Sequence, residues 1–131
     1  MGFDINWLVP GRVLEVNASG TITEEVLEKL NDALYDSMGD QPLHMIYDAS
    51  GVEKPFLDLE RRAELLPALT DERMGWMIIL NNLSPVMHFL TTSFASKIKL
   101  PIAGAASVED GMAVLRHLDE TLAMAVMDVV A

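Results

Sequence analysis

The stretch that decides the fold is Gly75-Trp76-Met77-Ile78-Ile79-Leu80-Asn81-Asn82-Leu83-Ser84-Pro85. Its first six residues form an unbroken apolar run, which is typical of a strand that is buried on both faces. Asn81-Asn82 ends the run. Ser84-Pro85 predicts a helix start, with serine as the N-cap and proline at the first helical position. A buried strand followed at once by a helix is the repeating unit of a parallel α/β sheet.

The same unit recurs on both sides of this stretch. Leu43 to Tyr47 is a second apolar run, followed by a predicted polar turn at Asp48-Ala49-Ser50-Gly51 and a helix from Leu57 to Leu66. Leu100 to Ala105 is a third run, and Ser107 is placed to cap the helix after it. The chain therefore alternates strands and helices over most of its length.

The N-terminal segment has a different pattern. Ile5 to Val9 and Arg12 to Asn17 are two short apolar or alternating stretches that are separated by Pro10-Gly11, a dipeptide that favours a turn. This arrangement predicts an antiparallel hairpin. Thr21 and Glu24 then fit a capping box, which predicts the start of an amphipathic helix.

The final helix is predicted from apolar residues that keep helical spacing from Val108 through Leu122 to Val126. The complete order is strand, strand, helix, and then three further strand-helix units. This order predicts a single α/β domain over residues 1–131, with a mostly parallel sheet of about five strands, an N-terminal antiparallel hairpin and about four helices.

Composition limits the partners and the compartment. The 131 residues include 20 acidic and 9 basic side chains, a formal charge of −11, which disfavours nucleic acid and anionic membranes. The chain has no cysteine, no visible signal peptide and no apolar run of the ~20 residues that span a bilayer. We therefore expect a cytoplasmic protein with no membrane span.

No set of residues in the sequence indicates catalysis. His44, His88 and His117 lie in three separate predicted elements without metal-ligand spacing, so no metal site is expected. Glycine-rich phosphate loops and a G-x-S-x-G elbow are absent, so we expect no cofactor and no enzyme. The enzyme alternative would need a deep pocket that gathers Asp48, His88 and a serine.

Two surface patterns leave alternatives open. An acidic row on the first helix is interpreted as a solvated face, with docking to a basic partner as the alternative. That row consists of Glu24, Glu28, Asp32 and Asp36. Nine methionines, together with Trp76, Phe89 and Phe94, put apolar groups on more than one side of the third and fourth helices. A homodimer, a partner protein or a lipid-like ligand would cover them, and the homodimer is favoured.

The chain resembles the STAS domain family, the fold of bacterial anti-sigma-factor antagonists, and in particular its SpoIIAA-like branch. The resemblance rests on the order of elements and on Asp48-Ala49-Ser50-Gly51-Val52, which matches the family's D-x-S-x-V-like strand end. Asp58 matches the next aspartate of the family pattern. The opening of the last helix, Ser107 to Leu115, is similar to the family's S-x-E-E-A-x-x-x-L. Leu59-Glu60-Arg61 stand where the family carries its phosphorylatable serines.

The resemblance implies a non-enzymatic regulatory domain that interacts with a protein, such as an anti-sigma factor or a kinase-like regulator. In the family, docking is centred on the loop and helix after the third strand, so the implied partner-binding residues are Ser50, Asp58, Glu60 and Arg61. Ser50 is the candidate phosphorylation site, but we expect no phosphorylation because the serine motif is missing. The alternative function is a carrier or sensor of a small apolar or lipid-like ligand.

Overall fold

The computed structural model describes residues 2–122, which form a five-stranded sheet and four α-helices. The strands are Gly2–Val9 (β1), Val13–Thr21 (β2), Leu43–Lys54 (β3), Met74–Leu80 (β4) and Ile102–Ala105 (β5). The helices are Glu24–Ser37 (α1), Leu59–Leu65 (α2), Pro85–Ile98 (α3) and Val108–Leu118 (α4). Short 3₁₀ helices lie at Pro67–Thr70 and Glu120–Leu122.

The strands lie in the sheet in the order in which they occur in the chain, β1-β2-β3-β4-β5. β1 is antiparallel to β2, and the other neighbouring pairs are parallel. Gly11 forms the hairpin turn with a φ of +76°, a conformation that glycine adopts without steric strain. The predicted fold class, a mostly parallel sheet with an N-terminal antiparallel hairpin and four helices, is confirmed.

Both faces of the sheet are covered. Alternate residues of a strand point to opposite faces, and Met45 and Met77 pack on one face while Ile46 and Ile78 pack on the other. The helices α1, α2 and α3 and the first 3₁₀ helix cover the first face, and α4 with the second 3₁₀ helix covers the other. The long apolar run in β4 is explained by this burial from two sides.

The predicted polar turn at Asp48-Ala49-Ser50-Gly51 is wrong, because these residues continue β3 as far as Lys54. β3 pairs with β4 only up to Tyr47, opposite Ile79, but it pairs with β2 along its whole length. β2 itself runs on to Thr21 and supplies the backbone partners. Pairing with a neighbouring strand thus overrides the local preference of small polar residues for a turn.

The helix starts are partly as predicted. Ser84 caps α3 and Ser107 caps α4, each accepting a hydrogen bond from a backbone N–H three residues on. The predicted cap at Thr21 is wrong by two residues, since Thr23 Oγ1 accepts from the N–H of Val26. Thr21 lies at the end of β2 instead.

The last predicted helix ends earlier than its apolar spacing indicates. α4 stops at Leu118, Asp119 is its C-cap, and the chain continues as a 3₁₀ helix to Leu122. The predicted continuation to Val126 lies outside the described residues. Among residues 2–122, no helix is both long and apolar enough to cross a membrane.

Candidate functional site

The carboxyl end of β4 lies beside the middle of β3, and the predicted partner-binding residues lie in the second half of β3 and in the segment that follows it. Ser50 is exposed on the part of β3 that extends beyond β4, and its N–H donates to Asp48 Oδ1 at 2.9 Å. Asn82, after β4, donates to the same Asp48 oxygen at 3.3 Å. Asp48 therefore links β3 to the segment that follows β4, near the edge where parallel α/β sheets usually bind ligands.

The other predicted site residues lie on or beside α2. Asp58 is the N-cap of this helix, and its Oδ1 accepts from the N–H of Arg61 at 3.0 Å. The Arg61 guanidinium lies 2.9 Å from Glu24 and 3.1 Å from Glu64, and its hydrogen bond with Glu24 lowers the pKa of that carboxyl. Glu60 is exposed. The structure thus brings all four residues to one end of the sheet, where two of them also stabilise α2.

Exposed apolar side chains lie at the same end of the molecule. Leu57, just before α2, is 68% exposed. Val86 and Phe89, one turn apart at the start of α3, are 65% and 67% exposed. By contrast, α3 buries Phe94 in its second half. We refer to Leu57, Val86 and Phe89 together as the apolar patch.

A small cavity lies between the sheet and the helices α1, α2 and α3. It is lined by Phe3, Leu27, Leu30, Met45, Tyr47, Arg62, Leu66, Leu69, Met77, Thr91 and Phe94. Its volume is about 40 Å³, enough for water or for a few heavy atoms. Apolar residues dominate the lining, and Arg62 is its one charged residue.

Arg62 is the unexpected member of this lining, because an arginine on a short surface helix usually faces solvent. Its Nη2 donates to the carbonyl oxygen of Phe56 at 2.7 Å, and its Cζ lies 5.3 Å from the centroid of the Phe94 ring. Its Nε is buried and has no hydrogen-bond partner among the described residues. Burial lowers the pKa of Arg62, although the group stays a cation at neutral pH.

The position of Arg62 has a signal in the sequence. Leu59, Arg62 and Leu66 stand at i, i+3 and i+7, the spacing of the inward face of a helix. Tyr47 faces the same cavity from β3. Burial raises the pKa of its hydroxyl, and the positive charge of Arg62 opposes that rise.

A second polar cluster lies at the amino ends of the strands and consists of Arg12, His44, Asp119 and Thr121. Asp119 Oδ2 is 2.8 Å from Arg12 Nη2 and 2.8 Å from His44 Nε2. Thr121 donates its hydroxyl to Asp119 Oδ1 at 2.6 Å and receives a hydrogen bond from Arg12 at 2.9 Å. The cluster joins the hairpin turn, β3 and the end of α4.

His44 is held by both ring nitrogens. Nδ1 accepts from the backbone N–H of Trp76 at 2.9 Å, so the ring hydrogen is on Nε2 and is donated to Asp119. Neither nitrogen is left to take a proton from a nucleophile, which a catalytic histidine must do. A Cβ at Gly75 would lie 2.3 Å from His44 Nδ1, so glycine is required there. The cluster is therefore a structural one.

The remaining candidates for chemistry do not converge. His88 and His117 are exposed on α3 and α4, whereas His44 is buried at the start of β3. Within residues 2–122, no three His, Asp or Glu side chains are grouped as metal ligands. Glu24, Glu28, Asp32 and Asp36 are all exposed, as a solvated helix face requires.

Comparisons with protein-family models, with curated proteins and with solved structures found no match. The resemblance to the STAS family therefore rests on the sequence motifs and the order of elements alone. The functional interpretation rests on the geometry of the carboxyl end of the sheet.

Proposed function

We propose that this chain is a non-enzymatic regulatory domain that binds a protein partner through the carboxyl end of its sheet. The observation that carries the proposal is the apolar patch, since Leu57, Val86 and Phe89 are each about two-thirds exposed. Large apolar side chains with a polar surround are typical of interaction surfaces. The order of strands and helices agrees with the family resemblance, which implies docking at this same end.

The charge around the patch indicates the chemistry of the partner. Glu53, Asp58 and Glu60 are exposed and close to Leu57 in the chain. Arg61, the nearest arginine on α2, is already paired with Glu24 and Glu64. Leu57 therefore has more acidic than basic neighbours in the chain, Lys54 being the exposed base near it, and the chain has a net charge of −11, so a basic surface with apolar side chains complements it. A second copy of this chain would bring a second set of carboxylates.

The test compares recovery of partners by three tagged full-length chains in the native host. We expect the wild type to recover a protein that the double variant Leu57→Ser/Phe89→Ser loses. Tyr35→Ser is the matched control, because Tyr35 is an exposed apolar residue of α1, away from the patch. The recovered protein should then bind the purified chain directly, with an affinity that falls as salt concentration rises.

Two results would reject the proposal. In the first, the double variant recovers the same proteins as the wild type. In the second, the only species recovered is the chain itself, and sedimentation shows a dimer that the double variant loses. The second result would establish the homodimer that the apolar content of the sequence favours. Neither result bears on the function of the cavity, because neither Leu57 nor Phe89 lines it.

The cavity favours a second candidate function, that of a carrier or sensor of a small apolar ligand. Its lining is apolar apart from Tyr47, Arg62 and Thr91, and it lies beneath α3, a helix with few buried residues. Enclosed apolar sites with a few convergent polar groups are the usual form of a small-molecule site.

A further inference from the structure

The cavity contains a positive charge that no carboxylate neutralises within the described residues. Arg62 forms none of the ion pairs found in residues 2–122, and no acidic group contributes to the pKa shift of its guanidinium. This is unexpected in a chain with 20 acidic residues. Arg62 is partly buried, and a cation that is partly withdrawn from water without an anion costs free energy that an anionic ligand would recover.

Arg62 has one buried donor that no protein group accepts from among the described residues. Nη2 is engaged by the Phe56 carbonyl, whereas Nε is buried without a partner. The Phe94 ring below the guanidinium holds it in place. A planar guanidinium with open N–H groups matches the two oxygens of a carboxylate.

Tyr47 supplies a second donor at the same cavity. Its side chain is partly buried, and this burial raises the pKa of the hydroxyl, which keeps its hydrogen at neutral pH. Arg62 is close enough to act on that pKa. A neutral hydroxyl beside a cation donates to an anion without adding charge repulsion.

We propose that this cavity binds a small amphiphilic carboxylate, with its head group on Arg62 Nε and the Tyr47 hydroxyl. The apolar tail would pack against Leu27, Leu30 and Leu69, which line the same cavity. An inorganic anion would leave this apolar lining uncovered, and a neutral hydrocarbon would leave Arg62 unpaired. The inference rests on the carrier function proposed above and adds the chemical class of the ligand.

The size of the cavity requires α3 to move when the tail enters. The present volume of about 40 Å³ is smaller than a ligand of eight carbon atoms. α3 buries only Thr91, Phe94 and Ala95, while Val86 and Phe89 near its start face solvent. Thr91 and Phe94 line the cavity, so an outward shift of α3 at these two residues would enlarge it.

The test measures binding of three probes to the purified full-length chain by methyl NMR titration at neutral pH. Octanoate carries head and tail, octanol carries only the tail, and acetate carries only the head. We expect octanoate to bind most tightly and to shift the methyl signals of Leu27, Leu30 and Leu69. Arg62→Met should lower the affinity for octanoate roughly tenfold or more and leave the affinity for octanol unchanged, because only the charged head group loses its partner.

The matched control is Arg61→Met, which removes the neighbouring arginine on the exposed side of α2 and should leave octanoate affinity unchanged. Arg62→Lys keeps the charge and removes Nε, and Tyr47→Phe removes only the hydroxyl, so both test the head-group contacts if Arg62→Met fails to fold. Arg62→Lys and Tyr47→Phe should each lower the affinity for octanoate more than the affinity for octanol. Equal binding of octanol and octanoate, insensitive to Arg62, would overturn the carboxylate assignment but keep the carrier function. No binding of either probe would overturn both.

Discussion

The two ends of the sheet each hold a partly buried arginine. The arginine at the amino end is paired with a carboxylate, whereas the one at the carboxyl end is not. At the amino end, Arg12 is 2.8 Å from Asp119 and 2.9 Å from the Thr121 hydroxyl, and its Nε donates to Pro42 at 3.3 Å. At the carboxyl end, Arg62 donates to the carbonyl of Phe56 and keeps a buried Nε without a partner.

This difference separates structural polar groups from those that are free to bind. Arg12 donates from Nε and Nη2 to groups of the chain, and both ring nitrogens of His44 are engaged, so these contacts add stability at the amino end. The carboxyl end retains an unneutralised charge and an exposed apolar patch, both of which destabilise an isolated domain. The amino end should therefore respond to mutation through stability, and the carboxyl end through binding.

The largest effect should come from Gly75→Ala, which breaks the amino-end cluster by steric overlap. A Cβ at this position would lie 2.3 Å from His44 Nδ1, and His44 is only 2% exposed. The ring must move, and it then loses its hydrogen bonds to Trp76 and Asp119. We expect a loss of roughly 2–4 kcal/mol in the free energy of unfolding, measured by urea denaturation. Gly39→Ala, with open space around its Cβ, is the control. Equal losses for the two variants would show that His44 is not held as described.

A smaller effect, and one that depends on pH, should follow from Asp119→Asn. Burial raises the pKa of Asp119, but hydrogen bonds from Thr121 and His44 and the charge of Arg12 outweigh it and bring the value to about 2. This folded-state pKa lies below the ordinary value of 3.8, so the carboxylate stabilises the fold above about pH 4. The contribution disappears as pH falls towards 2.

The expected loss for Asp119→Asn is about 1–3 kcal/mol at neutral pH, the usual worth of hydrogen bonds to a charged group. The measurement is the free energy of unfolding of both chains from pH 2 to pH 7. Asp71 has a similarly low pKa. It is present in both the wild type and the Asp119→Asn variant, so its contribution cancels in the difference between their free energies of unfolding. A difference that stays constant over this range would mean that Asp119 is not the titrating group.

Most of the fold was predictable because its signals are local. The apolar run of β4 and the caps Ser84 and Ser107 lie within a few residues of the elements that they define. The extension of β3 past Tyr47 was not predictable in this way, since it depends on backbone pairing with β2. Strand length is decided by the neighbour, which a single segment does not reveal.

The candidate site was predictable only in part, for a similar reason. The end of the sheet that carries Ser50 and Asp58 was identified from the motif after the third strand. Arg62 was missed, although its helical spacing with Leu59 and Leu66 indicates an inward position, because a charged residue is normally assigned to the outer face. The contact of His44 with Asp119 joins residues 75 positions apart, and no sequence pattern connects them.

The smallest predicted effect, and the sharpest test of the comparison between the two ends, is the stability of Arg62→Met. Methionine fills a similar volume without a charge, so this change removes a buried cation that lacks an anion. We expect the free energy of unfolding to rise by about 1 kcal/mol, as when a buried charge is replaced by an apolar residue of similar volume. Arg61→Met, on the exposed side of the same helix, should change it by less than about 0.5 kcal/mol.

A gain in stability combined with a loss of octanoate binding would show that Arg62 is retained for function at the expense of stability. The contrast is with Asp119, whose replacement should weaken the fold and leave octanoate binding intact. If Arg62→Met instead destabilises the chain by as much as Asp119→Asn does, the contacts with Phe56 and Phe94 are sufficient to make Arg62 structural. The two ends of the sheet would then have the same role, and the distinction drawn between them would be wrong.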